Sequence, residues 1–103
     1  MTAVYVLAPA ALADLRNIAV YTRRNWGRKQ AHIYRDQLEL CFEALASGQL
    51  RSKKLSDVRS GLVMVRCQHH YVFARLRDNQ PLSIEAVLHE KMDLMARIAE
   101  RLG

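Results

Sequence analysis

The chemistry available to this chain of 103 residues lies in four histidines, two cysteines and one mixed-charge segment. His69 and His70 stand side by side, and His89 opens the run His89-Glu90-Lys91-Met92-Asp93. Imidazoles titrate near neutrality, so three of them beside a lysine could act as general acid and base in cleaving a phosphodiester. Adjacent residues of a strand point to opposite sides, however, and do not converge on one phosphate. One of His69 and His70 is therefore expected to pack into a sheet while the other faces out. His89 is open to two readings, a structural histidine bonded to backbone or part of a target surface. No metal is expected, because the only ligand-like spacing is the adjacent, diverging pair His69 and His70. The four glycines are scattered and form no phosphate cradle, so no cofactor is expected. Cys41 and Cys67 make no CxxC pair and are read as small buried hydrophobes outside any disulfide framework.

The elements that must position these groups are legible from period and punctuation. Three β-prone runs, 62–65, 70–76 and 82–88, are separated by four and five polar residues, too few for a parallel return. They form an antiparallel meander. Upstream, residues 4–7 read as a short edge strand ended by Pro9. Leu12, Leu15, Ala19, Thr22 and Trp26 then recur at spacings of three and four, giving an amphipathic helix between Pro9 and Gly27. Trp26 is read as its large apolar stop. Ala31, Tyr34, Leu38, Cys41, Phe42 and Leu45 mark a second helix, stopped at Ser47-Gly48. So short a turn makes an antiparallel helical hairpin, whose apolar side lies on the sheet. Ile33, Leu40 and Ala44 form a second, narrower stripe facing elsewhere. Residues 48–61 read as a basic loop, and Leu94, Ile98 and Leu102 as the stripe of a short final helix. The expected fold is α+β: an N-terminal strand, a helical hairpin packed on a three- to four-stranded antiparallel sheet, and a short C-terminal helix.

Length allows one domain, 1–103, with an adequate core. No apolar run approaches the roughly 20 residues of a membrane span, so no membrane partner and a cytoplasmic location are expected. Sixteen basic residues against ten acidic ones give a net charge of +6. The excess sits in residues 1–35 and 51–77, which suits an acidic partner, either nucleic acid or protein. Arg23 and Arg24, with Arg28 and Lys29, flank the hairpin turn.

Three ordered blocks resemble the RelE/ParE family of bacterial toxins, and its ParE branch in particular. They are Ala10-Ala11-Leu12-Ala13-Asp14-Leu15-Arg16-Asn17-Ile18 with Tyr21-Thr22-Arg23-Arg24-Asn25-Trp26-Gly27, then His69-His70-Tyr71-Val72-Phe73, then Val87-Leu88-His89-Glu90-Lys91-Met92-Asp93. The resemblance implies a toxin of a type II toxin-antitoxin system that stalls DNA gyrase and so arrests replication and growth. It implies a ParD-like antitoxin as partner, with operator DNA bound only through that antitoxin. RelE members instead cut messenger RNA on the ribosome, and nuclease members carry a Tyr-Arg pair on the central strand. Here His70-Tyr71 stands in that place, without the arginine, so a non-enzymatic toxin with no catalytic residues is expected. His69, His70, His89 and Lys91 keep the endonuclease alternative open. The expected target-binding residues are His89, Lys91, Met92, Asp93, Arg97 and Arg101. The expected antitoxin-binding residues are Ile33, Leu40, Ala44, Arg23 and Arg24.

Overall fold

The structure is a computed structural model and describes residues 4–102. Strand β1 (Tyr5–Leu7) leads into helix α1 (Pro9–Trp26), then α2 (Arg28–Ala46), β2 (Lys53–Lys54), β3 (Leu62–Cys67), β4 (His70–Arg75), β5 (Leu82–His89) and α3 (Leu94–Leu102). Pro9 starts α1 at a position where its missing N–H is no loss. Gly27, at φ +93°, both ends α1 and begins α2, so a single residue turns the chain.

The sheet has five strands in the order β1-β5-β4-β3-β2. The meander β3-β4-β5 is antiparallel throughout, as the short connections require. Two features differ from the sequence reading. β1 pairs parallel with β5, Tyr5 opposite Leu82, because α1 and α2 carry the chain across the sheet before the meander begins. Lys53–Lys54, inside the expected loop, adds a two-residue strand to β3. The result is a mixed five-stranded sheet in place of three to four antiparallel strands.

Both faces of the sheet are covered. On one, Leu38, Phe42 and Leu45 of α2 and Ala11 of α1 pack on Val63, Val65, Val72, Ala74, Ile84 and Val87. On the other, Ile98 of α3 and Leu55 of the loop pack on Leu62, Phe73, Ala86 and Leu88. One irregularity makes this division possible. Phe73 pairs with Ala86 and Ala74 with Ile84, so Glu85 is an extra residue that bulges from β5. Strict alternation would put Ile84 and Ala86 on one face; the bulge shifts the period by one, and Val87 joins Ile84 beneath the helices.

Two sequence readings of individual residues are corrected. Cys41 and Cys67 are joined by a disulfide across 26 residues of sequence, tying α2 to the end of β3. Their separation along the chain gave no sign of it, because the helix-on-sheet packing brings their Cα atoms to 6.4 Å. Trp26 does not enter the core. It is 70% exposed at the last position of α1.

Candidate target surface and partner groove

Three surfaces stand out, two of which carry sequence-predicted residues. The first lies where the β3-β4 turn meets the end of β5. His70 and His89 are direct cross-strand partners, their rings edge to face at 5.2 Å. The Tyr34 hydroxyl of α2 accepts the His69 backbone N–H at 3.2 Å and shares a hydrogen bond with His70 Nδ1 at 2.5 Å. Burial, followed by the neighbouring His89 and His69, pushes the His70 pKa down to about 4. Burial also pushes the Tyr34 phenol above its ordinary value. At neutral pH both groups are uncharged, and together they latch α2 to β4.

His69 lies in the β3-β4 turn and not on a strand, so the period of two does not apply to it; it is exposed, whereas His70 is half-buried. His69 Nδ1 lies 3.4 Å from Glu90 Oε1, while Arg66 donates to Glu90 Oε2 at 2.5 Å. Arg66 and His69 thus approach one anion, and that anion is the protein's own carboxylate. A phosphate would have to displace it. Among the described residues, no three His, Cys, Asp or Glu side chains are grouped as a metal ion would need.

His89 accepts the Lys91 backbone N–H on Nδ1 at 3.1 Å, which fixes the turn into α3. Lys91 and Met92 are exposed. Asp93 caps α3, its Oδ1 accepting the Ala96 N–H at 3.3 Å. Arg97 faces solvent, whereas Arg101 turns inward and forks onto Asp14 of α1, at 2.6 and 3.2 Å. Of the six residues expected to meet a target, Lys91, Met92 and Arg97 are exposed and His89 is half-buried. Asp93 and Arg101 are occupied in holding α3.

The second surface is the outer side of α2. Ile33, Leu40 and Ala44 share one helical face, and Leu40 is 64% exposed. Arg23 and Arg24 lie apart from it, on the last turn of α1. The third surface was not anticipated. Between α1, α2 and β1 runs an apolar groove of about 270 Å³, lined by Leu12, Leu15, Ile18, Tyr34 and Leu38, with Arg16, Arg35 and Glu39 on its rim. Leu12 and Leu15 were read as core; the hairpin splays enough to leave the groove between its helices open. Nothing in the periodicity tells a stripe that lines a groove from one that is closed over.

A family model described as "ParE toxin of type II toxin-antitoxin system, parDE" matches residues 5–94. The chain belongs to the ParE toxin family. It is 48% identical to Toxin ParE of Escherichia coli over 102 residues, covering 99% of this chain and 98% of that one. Toxin ParE1 of Caulobacter vibrioides is 30% identical over 94 residues, covering 91% and 96%. The fold matches that of a chain described as "Chromosomal ParDE TA system from P. aeruginosa", with a TM-score of 0.69 and 16% identity over 82% of this chain and 92% of that one. As the sequence blocks implied, this is a toxin-family protein of the α+β class.

The His70 latch carries a pH dependence. The unfolded chain takes up a proton near pH 6.5, whereas folded His70 does so only near 4. Between those values the unfolded state binds more protons, so stability is complete above about pH 6.5 and falls as the pH drops toward 4. Because the ring is only partly buried, water screens much of this, and about 1–2 kcal/mol is expected. His70→Gln, which keeps an acceptor near Tyr34, should flatten that part of the profile. Thermal melts of both proteins from pH 7.5 to 4.5 measure the difference.

Proposed function

We propose that this chain is the toxin of a type II module that inhibits DNA gyrase without cutting nucleic acid, and that a ParD-like antitoxin neutralises it. The observation that carries the non-enzymatic part is the Tyr34-His70 latch with the Glu90-bridged pair Arg66 and His69. A general acid or base works best with a pKa near the operating pH, and His70 is far below it. The nearest arginine already has its anion. What is exposed for a macromolecular target is Lys91, Met92 and Arg97, beside the half-buried His89. Purified gyrase assayed with a molar excess of the toxin should lose supercoiling while bulk RNA in expressing cells stays intact. Unimpaired supercoiling, or transcripts cut on ribosomes, overturns the reading.

The antitoxin reading rests on family membership and on the apolar surfaces of the hairpin. A helix of the antitoxin fits the groove or the Ile33-Leu40-Ala44 face, and an extended segment can add to the sheet. The strip of β3 beyond Met64 offers such an edge, since β2 pairs only with Val63 and Met64. Operator DNA would be reached through the antitoxin alone. Leu40→Asp should weaken antitoxin binding roughly tenfold or more, because a carboxylate would have to be buried at the contact. The melting temperature should not move, as Leu40 is exposed. Titration calorimetry against the antitoxin distinguishes the two sites: unchanged affinity with Leu40→Asp places the helix in the groove lined by Leu12.

A further inference from the structure

We propose that the tip of the α1-α2 hairpin binds single-stranded nucleic acid, its cations holding phosphates and its exposed aromatic rings stacking on unpaired bases. Residues 15–35 hold Arg16, Arg23, Arg24, Arg28, Lys29 and Arg35 and not one Asp or Glu. Their ion pairs do not explain them. Arg35 meets Glu39 at 3.2 Å, but among the described residues Arg23, Arg24, Arg28 and Lys29 have no carboxylate partner.

The fold uses only part of this arrangement, since Arg23 and Arg24 in the last turn of α1 complement its dipole. Arg28 and Lys29 occupy the first turn of α2, where the helix dipole is positive and no acidic residue offsets them. Cations there cost about 0.3–1 kcal/mol each. Arg23, Arg28, His32 and Arg35 border a cleft of about 430 Å³, open to solvent. Neither ring lines that cleft, but Trp26, 70% exposed, stands between Arg24 and Arg28 in the chain, and Tyr21, 64% exposed, lies one turn before Arg24. Large rings left in water while the core is otherwise filled mark a contact surface.

The two features together select the partner. An acidic peptide would satisfy the arginines and leave the rings in water, whereas an apolar helix would cover the rings and gain nothing from the cations. Single strands offer a phosphate at every step and a free π-face on every base, which is the combination that basic grooves with aromatic platforms recognise. Binding here does not depend on the gyrase reading.

Trp26 is the chain's only tryptophan, so its emission reports on the site directly. Full-length protein titrated with a 20-nucleotide oligothymidylate at 50 mM salt should show quenching of Trp26 together with a rise in the anisotropy of the labelled strand. If four phosphates are neutralised, affinity should fall about 50-fold between 50 and 200 mM salt. Arg23→Ala with Arg28→Ala should reduce the slope of log K on log salt by about 1.4. Trp26→Ala should weaken binding roughly tenfold and leave the slope alone. Absence of binding at 50 mM salt overturns the proposal, as does binding with Trp26 emission unchanged. Duplex DNA bound as tightly as the single strand also overturns it, and displacement of the strand by polyglutamate of equal charge would assign the tip to an acidic protein. Because no gyrase is present, failure here leaves the supercoiling result to be judged separately.

Discussion

Asp14→Ala is expected to destabilise the fold by about 3 kcal/mol and to loosen α3, although Asp14 reads in sequence as one polar residue on a helix surface. Its importance comes from the shortness of β1. That strand ends at Leu7, pairing no farther along β5 than Ile84, so the rest of that edge has no strand beside it. The bulge at Glu85 turns the Val87 N–H toward the same open edge, and Asp14 Oδ2 accepts it at 2.9 Å. The carboxylate also takes both arms of the Arg101 guanidinium, and its side chain is only 13% exposed. Removing it strands a buried N–H, which costs about 1–3 kcal/mol, and breaks a bidentate charge-assisted contact. Asp14→Asn retains an acceptor for Val87 and should lose about half as much. Urea unfolding of both variants, with Arg101→Ala completing a double-mutant cycle, separates the two contributions. Amide exchange should rise throughout α3 in Asp14→Ala and Arg101→Ala alike.

The contrast with the sequence reading is instructive for Asp14 and for Arg101, which was assigned to a target surface and is instead turned inward. Local physics was legible. Pro9, Gly27 and the three-four spacing of apolar residues located both long helices, and the brevity of the two connections between 62 and 88 required a meander. The alternation expected of His69 and His70 presumed that both lie on a strand, whereas His69 is in the turn that precedes β4. What escaped is whatever depends on contacts between distant segments. The parallel pairing of β1 with β5, the Cys41–Cys67 bond and the reach of Tyr34 to His70 each join residues more than 25 positions apart, and no periodicity encodes them. The bulge at Glu85 escaped for another reason: a strand buried on both faces loses the alternation from which a shift of period could be read. Trp26 escaped because apolar spacing identifies a helical face without saying where along the helix that face is covered.

Removing residues 94–103 is expected to abolish the cooperative fold, and with it growth arrest and antitoxin binding together. If Arg97 and Arg101 served only to meet a target, growth arrest would disappear first. The packing decides otherwise. Ile98 is fully buried, and with Leu94 and Leu102 it covers Leu62, Phe73, Ala86 and Leu88. Burying those three side chains contributes about 4–5 kcal/mol, to which the Asp14-Arg101 fork and the contact of Arg59 with the Leu102 carbonyl add. A domain of this size has a total stability of about 5–15 kcal/mol, so the truncated chain would be left with little or none. Ile98→Ala should show the same effect in graded form, losing about 3 kcal/mol with a cavity beneath α3. A test of the target surface must therefore spare α3's inner face. Lys91→Glu and Arg97→Glu change only exposed side chains, and should leave the melting temperature within about 2 °C of the parent while weakening growth arrest. Antitoxin affinity should hold in both, because the hairpin surfaces lie elsewhere. If the truncated chain instead melts cooperatively and still binds antitoxin, α3 is an appendage and the second face of the sheet is stable without it.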